Sequence, residues 1–421
     1  MTVDAPILII GAGMSGLAAG RELQRRGRSF RILERSDRVG GRLGSILVEG
    51  FSCDLGFQVS MSNYRRLESL VGRKTLPRDP FVPGAVVWTG RDRIRMADPR
   101  RAPFAAFGAV LRGLAGWRDL RAANRCRRAA IRAAVDGDPE GSADAFIRRV
   151  GFSERFRESF LRPFFGGVFL DESLSVCAGR FLRTLDRFAS GIAEIPRGGM
   201  QSIADEVSRP IQDRIDFGVS VEGIDAGAVR LDDGTRLECG GVILATDRDT
   251  TKRILAPRDD PSKGLDSESG WASTAALHFE TPEPTILEPI IVLNGSGRGE
   301  VNLLASPTAV TTGVAPTGRH SLVVSLRPGG RTDFDPGEIA DVAREAASML
   351  GADAESWRHL ATTVVRKALP QGRPPAGLPD APNAVEIAGD WLGDPSIDEA
   401  VGSGIAAAGR LADARPAGGP A

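Results

Sequence analysis

The sequence predicts an α/β protein whose open parallel sheet is assembled from separated pieces of chain, with an α+β domain inserted between them. Three observations predict it. A glycine-punctuated βαβ pattern opens the chain in "APILIIGAGMSGLAAGRELQRRGRSFRILER". Sheet-like patterns return in "GVSVEGIDAGAVRLDDGTRLECGGVILATD" and in "NAVEIAGDWLGDPSIDEAVGSGIAAAGRLA", each far downstream of the first. The long intervals between them differ in character from the sheet pieces and from each other. A chain of 421 residues is long for one domain and suits two. The discontinuous sheet domain is therefore read as residues 1–62, 195–262 and 380–415. The inserted domain is read as 63–194 and 263–379, with 416–421 as a disordered tail.

Each element has a local reason. Ile7 to Ile10 is a continuous apolar run, as in a parallel strand covered on both faces. A glycine turn follows, then a helix with Leu17, Ala18 and Leu23 inward and Arg21, Glu22 and Arg25 toward water. Gly27 stops it, and "SFRILE" resumes as a strand, which completes a right-handed βαβ unit. In the second piece, alternation around "DDG" signals hairpins before the apolar strand "GVILAT". The third piece reads as a strand, a loop and a helix of small residues. Residues 63–194 read as helix-rich, and 265–375 mix strands ("STAALHFE", "SLVVSL") with a helix ("DPGEIADVAREAASML").

Composition excludes several functions. Lys plus Arg and Asp plus Glu balance at 54 each, so no global field favours nucleic acid. The four cysteines, Cys53, Cys126, Cys177 and Cys239, form no C-x-x-C pair, which argues against a local zinc knuckle or redox dithiol. They suit a reducing cytoplasm and read as small buried hydrophobes. The start of the chain carries an acid and only a short apolar run, unlike a signal peptide. No uncharged run has the length of a membrane span.

The chemistry begins at "GAGMSG". Gly11, Gly13 and Gly16 form G-x-G-x-x-G, with Met14 and Ser15 between the last two. The first glycine allows the tight turn, the second lets backbone N–H groups approach a pyrophosphate, and the third lets helix and strand pack closely. Glu34, followed by Arg35, ends the second strand, where a carboxylate can accept the hydroxyls of an adenosine ribose. Together these define a Rossmann-type dinucleotide site, and Glu34 disfavours a 2′-phosphate there.

After the acid comes R-x-x-G-G-R: Arg38, Gly40, Gly41 and Arg42. With this second glycine pair the sequence resembles flavoproteins of the glutathione-reductase-like superfamily, among them amine oxidases, protoporphyrinogen oxidases and phytoene desaturases. The resemblance implies FAD, with Gly40 and Gly41 against its diphosphate and ribityl chain and Arg42 nearby. "GFSCDLGFQV" is similar to the family's G-x-x-x-D-x-G segment near the flavin, and "IPRGGM" to the return from the inserted domain. "VSVEGI" resembles the strand that meets the adenine, at Val221, and "VILAT" the strand ending beside it, at Thr246. "EIAGDWLGDPSIDEAVGSG" resembles the C-terminal motif, which implies Gly389 and Asp390 at the ribityl side and Ala400 and Val401 at the ring. A helix N-terminus there would stabilise negative charge on reduced flavin.

The resemblance implies an FAD-dependent oxidoreductase acting on a small molecule. Its favoured branch is dehydrogenation of a largely apolar or polycyclic substrate by hydride transfer to flavin N5. "FLRPFFGGVFLDESLSV" resembles the corresponding stretch of desaturase-like proteins, with Phe160, Phe164, Phe165, Val168 and Phe169 lining or backing an apolar cavity. The amine oxidase alternative is weakened because no lysine lies between Trp271 and His320 and Tyr64 is the sole tyrosine. Trp391 is the candidate for a single aromatic wall. A non-redox isomerase using reduced FAD is a further alternative. His278 and His359 read as structural and His320 as an exposed turn residue, so no catalytic residue and no metal ligand is assigned. Residues 112–132 mix Leu114, Trp117, Leu120 and Ile131 with many arginines. Such a helix suits peripheral contact with an anionic membrane, a solvated face over the pocket, or recognition of an anionic substrate. Oligomeric state is left open.

Overall fold

A computed structural model describes residues 5–97, 108–225, 227–256, 270–372 and 384–413. The tail 416–421 lies outside them. Five parallel strands form the first sheet, in the order Ile215–Phe217, Phe30–Glu34, Ile7–Ile10, Gly241–Leu244, Val385–Ile387. The central strand Ile7–Ile10 is buried throughout, which explains its unbroken apolar run. The first helix, Met14–Arg25, buries Met14, Leu17, Ala18 and Leu23 beside it. Glu22, expected to face water, is buried instead, and it is satisfied there by Arg25 and Arg26. These ion-pair hydrogen bonds pull its pKa down to about 2, against the opposing effect of burial.

The C-terminal helix Ile397–Asp413 lies against the first helix. At Gly404 a Cβ would stand 2.0 Å from the Ser15 carbonyl oxygen, so the small-residue sequence of this helix is a condition of its close approach. Strands Val221–Asp225, Ala228–Leu231 and Arg236–Glu238 form the antiparallel hairpins expected around "DDG".

Both inserted segments contribute to one seven-stranded sheet, ordered Arg358–Pro370, Trp271–Thr281, His320–Leu326, Val301–Ala305, Ile291–Asn294, Ala85–Trp88, Arg93–Met96. The two last strands lie in a stretch read from the sequence as helix-rich. Their four-residue length carried too little alternation to be seen beside the helices. His320 opens a strand opposite Thr281 and is half-buried, not an exposed turn residue. Helices pack under this sheet around a phenylalanine-rich core. Cys53, Cys126 and Cys239 are buried and Cys177 is half-buried, all as free thiols.

Candidate active site

The glycine turn carries different constraints at each of its three positions. A Cβ at Gly11 would stand 2.8 Å from the Ala245 carbonyl oxygen, and one at Gly16 only 1.9 Å from that of Gly11. Both are therefore excluded by the protein itself. At Gly13 a Cβ would meet nothing within 4 Å, so this glycine faces open space at the N-terminus of the first helix. Open space in front of helix N–H groups is where a pyrophosphate fits.

The second glycine pair lies directly against the first turn. Gly40 donates its N–H to the Ala12 carbonyl at 2.9 Å and forms a parallel bridge with Gly13. Gly40 and Gly41 have φ of +100° and +59°, a region that favours glycine. At Gly41 a Cβ would face only the Gly13 Cα, at 3.4 Å. Arg38 lines the cavity beside the pair. It turns back, donating to the Gly41 carbonyl at 2.8 Å and to Gln201, and so holds the turn.

Glu34 is buried, with one oxygen accepting from Ala12 N–H at 2.7 Å and the other from the Ser36 N–H and hydroxyl. The sequence reading missed Ser36, whose position two residues after a strand-ending acid is the available signal. Arg42 meets Asp390 at 2.5 Å and donates to the Ala368 carbonyl at 3.1 Å. Gly389 donates to Ser403 Oγ at 3.0 Å. Ser396 caps the C-terminal helix by accepting from Glu399 N–H at 3.1 Å.

These residues meet in one cavity of about 2150 Å³. Gly11, Gly13, Met14, Ser15, Glu34, Arg35, Gly40, Gly41 and Arg42 line it, with Val221, Thr246, Gly389, Asp390 and Ala400. Two assigned residues do not. Gly16 is packed beneath the turn, and the Val401 side chain is fully buried in the core under the C-terminal helix. Val401 therefore does not reach the cavity, and Ala400 before it does. Trp391, offered as an aromatic wall, is likewise 4% exposed, with its Nε1 donating to the Thr246 carbonyl at 3.2 Å. It backs the site from the core.

The same cavity continues into the inserted segments, where it is lined by rings. Phe152, Phe156, Phe160 and Phe164 succeed one another at four-residue spacing, with centroids 5.5, 5.2 and 5.7 Å apart. Phe165 and Phe169 back them in the core. The backbone Arg157–Leu161 within this stretch is π-helical, and Pro163, lacking an N–H, lies two residues beyond its end.

The titratable groups separate into structural and cavity-facing sets. No histidine lines the cavity among the described residues. His278 is buried, with Nε2 3.1 Å from the Asp54 carbonyl oxygen and 3.3 Å from Thr363 Oγ1, and burial pushes its pKa down to about 4. It is a neutral structural group at physiological pH. Lys367, which the sequence reading passed over, does line the cavity. Its Nζ is bound to Asp249 at 2.6 Å and lies near Asp247 at 3.4 Å. The Asp249 carboxylate also accepts from Trp271 Nε1 at 2.9 Å, so this lysine is tied into a fixed cluster.

The fold and the cradle define an FAD-dependent oxidoreductase. The open face of Gly13, the left-handed glycine pair against it and the buried carboxylate that ends the second strand all fit the dinucleotide. Bound FAD supplies the two-electron acceptor, while the chain holds it and places the substrate. The chain belongs to the flavin-containing amine oxidoreductase family, whose model matches residues 14–412. It is 25% identical over 396 residues to a phytoene dehydrogenase of Streptomyces griseus, covering 80% of this chain and 76% of that one. It is 29% identical over 264 residues to AofH of Mycobacterium tuberculosis, assigned as a flavin-containing monoamine oxidase, covering 58% and 57% of the two chains. Putrescine oxidase bound to putrescine superposes with a TM-score of 0.71 at 18% identity, covering 98% of this chain and 99% of that one.

Proposed function

We propose that this protein dehydrogenates a largely apolar or polycyclic small molecule, which gives up a hydride to flavin N5 and a proton to water. The observation that carries the reading is the ladder from Phe152 to Phe164, set in the same cavity as the FAD cradle. Aromatic walls bind apolar surface and exclude water, and a flavin needs little else from the protein when the bond broken is C–H. The amine oxidase reading is less favoured because Lys367 is committed to Asp249 and Asp247. In this reading residues 1–62, 195–262 and 380–415 hold the cofactor, and 63–194 with 263–379 hold the substrate. Anaerobic titration of the purified yellow protein tests it. Bleaching of the flavin by polyene or polycyclic hydrocarbons, but not by primary amines, is expected. Bleaching by amines alone overturns it, and turnover that requires pre-reduced flavin identifies an isomerase.

Residues 112–132 are proposed to dock a cytoplasmic protein on an anionic membrane. No helix among the described residues is long and apolar enough to cross one. In the helix Trp117–Asp136, residues Trp117, Arg121, Arg128, Ile131 and Val135 share one face at 3.6-residue spacing. Trp117, Ile131 and Val135 are 74%, 63% and 83% exposed, and Trp117 and Arg121 also line the cavity. An apolar and basic face beside a cavity mouth matches a surface from which lipophilic substrates are collected. Cosedimentation with phosphatidylglycerol vesicles, lost in Trp117→Ala/Ile131→Glu, is expected, with none on phosphatidylcholine.

A further inference from the structure

Arg180 is a buried charge of the cavity without a hydrogen-bond partner among the described residues. It lies on the helix Ala178–Ser190, is 5% exposed, and lines the cavity. Its guanidinium carbon stands 5.3 Å from the centre of the Phe169 ring. Among the described residues no carboxylate or carbonyl accepts a hydrogen bond from it. The acids that act on it are each engaged elsewhere. Asp394 is gripped by Arg183, and Asp390 by Arg42. Asp171 accepts from Ser173, Ser175 and the Val176 N–H. Burial lowers the pKa of Arg180, yet an arginine remains protonated in proteins. Its donors open only onto the cavity, where a ligand can complete them.

We infer that Arg180 receives the carboxylate of a lipophilic monocarboxylic acid whose apolar body lies along the phenylalanine ladder. This rests on the apolar-substrate reading and narrows it. The neighbouring Arg42 and Arg183 are already paired with Asp390, Asp138 and Asp394, which leaves Arg180 as a single cation to meet a single anionic group. The guanidinium fork matches a carboxylate in a way no hydrocarbon or amine can use. Stacking on Phe169 leaves the guanidinium edge, where the N–H groups are, free for that pairing.

The test compares pyrenebutyrate with pyrenebutanol, two probes with the same apolar body, by fluorescence quenching in the FAD-loaded protein. The acid is expected to bind about ten-fold or more tightly than the alcohol, the scale of one charge-assisted hydrogen-bonded contact. In Arg180→Met that preference should fall to near unity, while Arg180→Lys retains part of it. Without probe, Arg180→Met should melt no lower than the parent, because it removes an unpaired buried charge. An acid preference that survives in Arg180→Met overturns the inference, as does its absence from the parent. Loss of FAD from Arg180→Met would place the guanidinium on the cofactor and also overturn it. A lower melting temperature in that variant would mark Arg180 as structural, and the Lys variant then decides through its binding ratio. The redox readout is separate. If no lipophilic compound bleaches the flavin yet the acid preference holds, the dehydrogenase reading fails and the anion site stands.

Discussion

The Arg42 guanidinium meets the Asp390 carboxylate at 2.5 Å across 348 residues of chain. The pair joins the second glycine turn to the C-terminal motif, and both residues line the cofactor cavity. The two sides are unequally exposed, at 36% for the Arg42 side chain and 9% for Asp390. Removing the arginine strands a buried carboxylate, whereas removing the acid leaves a cation that still reaches water and the Ala368 carbonyl. Arg42→Met should therefore cost more stability than Asp390→Asn, by about 1–3 kcal/mol. Denaturant unfolding of the two variants and of the double variant checks the order. Equal losses would show that the ion pair contributes little.

The three glycines of the first turn should fail in different ways. Gly13 has φ of −70° and open space at its Cβ, so Gly13→Ala is expected to fold yet purify without flavin. Gly16→Ala would press a methyl group into the Gly11 carbonyl and should not fold. Gly41→Val adds a branched side chain at φ +59° beside Gly13 and should fold weakly and colourless. Flavin absorbance per protein, read beside circular dichroism, separates loss of cofactor from loss of fold. Stoichiometric flavin in Gly41→Val would remove this pair from the FAD site.

The glycine-turn half of the cavity was legible because its constraints are local. A turn that needs positive φ at Gly11, an acid ending a strand, and a glycine pair at Gly40 and Gly41 are written in short segments. What decides the substrate half is tertiary. Trp391 is an ordinary aromatic in sequence and becomes a core residue only because Thr246 offers it a carbonyl. Lys367 lines the cavity through a strand that pairs with Trp271–Thr281, so a search confined to 271–320 missed it. Arg180 is one arginine among many until the partners of Asp394 and Asp390 are known. Glu22 looked solvated because its helix position is amphipathic, and the arginines that allow its burial lie three and four residues on.

Glu34 holds the turn through the Ala12 N–H and is the residue proposed to meet the adenosine ribose. Glu34→Ala should weaken FAD binding by about 1.5–3 kcal/mol through loss of charge-assisted hydrogen bonds. It also deprives the Ala12 N–H of its acceptor, so the apo protein should lose about 1–3 kcal/mol of stability. Glu34→Gln keeps an acceptor and should recover most of the stability while leaving FAD binding weakened. Equilibrium dialysis with FAD and apo-protein unfolding read the two effects apart. Unchanged FAD affinity in both variants would contradict the ribose role.

Asp54 should give the protein a measurable pH signature. It ends the strand Phe51–Asp54, with Oδ1 accepting from Ser45 Oγ at 2.5 Å and from the Met200 N–H at 3.2 Å. Burial raises its pKa to about 6, and those hydrogen bonds only partly oppose the shift. A carboxyl whose folded pKa lies above its unfolded value of 3.8 contributes stability that is complete below that value. The contribution is lost as pH rises through about 6, where the folded protein must ionise a buried acid. Asp54→Asn keeps the Oδ1 acceptor and removes the ionisation. Relative to the parent it should gain about 1–3 kcal/mol at neutral and alkaline pH, with the gain shrinking toward acid. Denaturant unfolding with saturating FAD at about pH 5 and about pH 8 provides the comparison. A difference that is constant across that window would mean the carboxylate is as well solvated in the folded protein as in the unfolded chain.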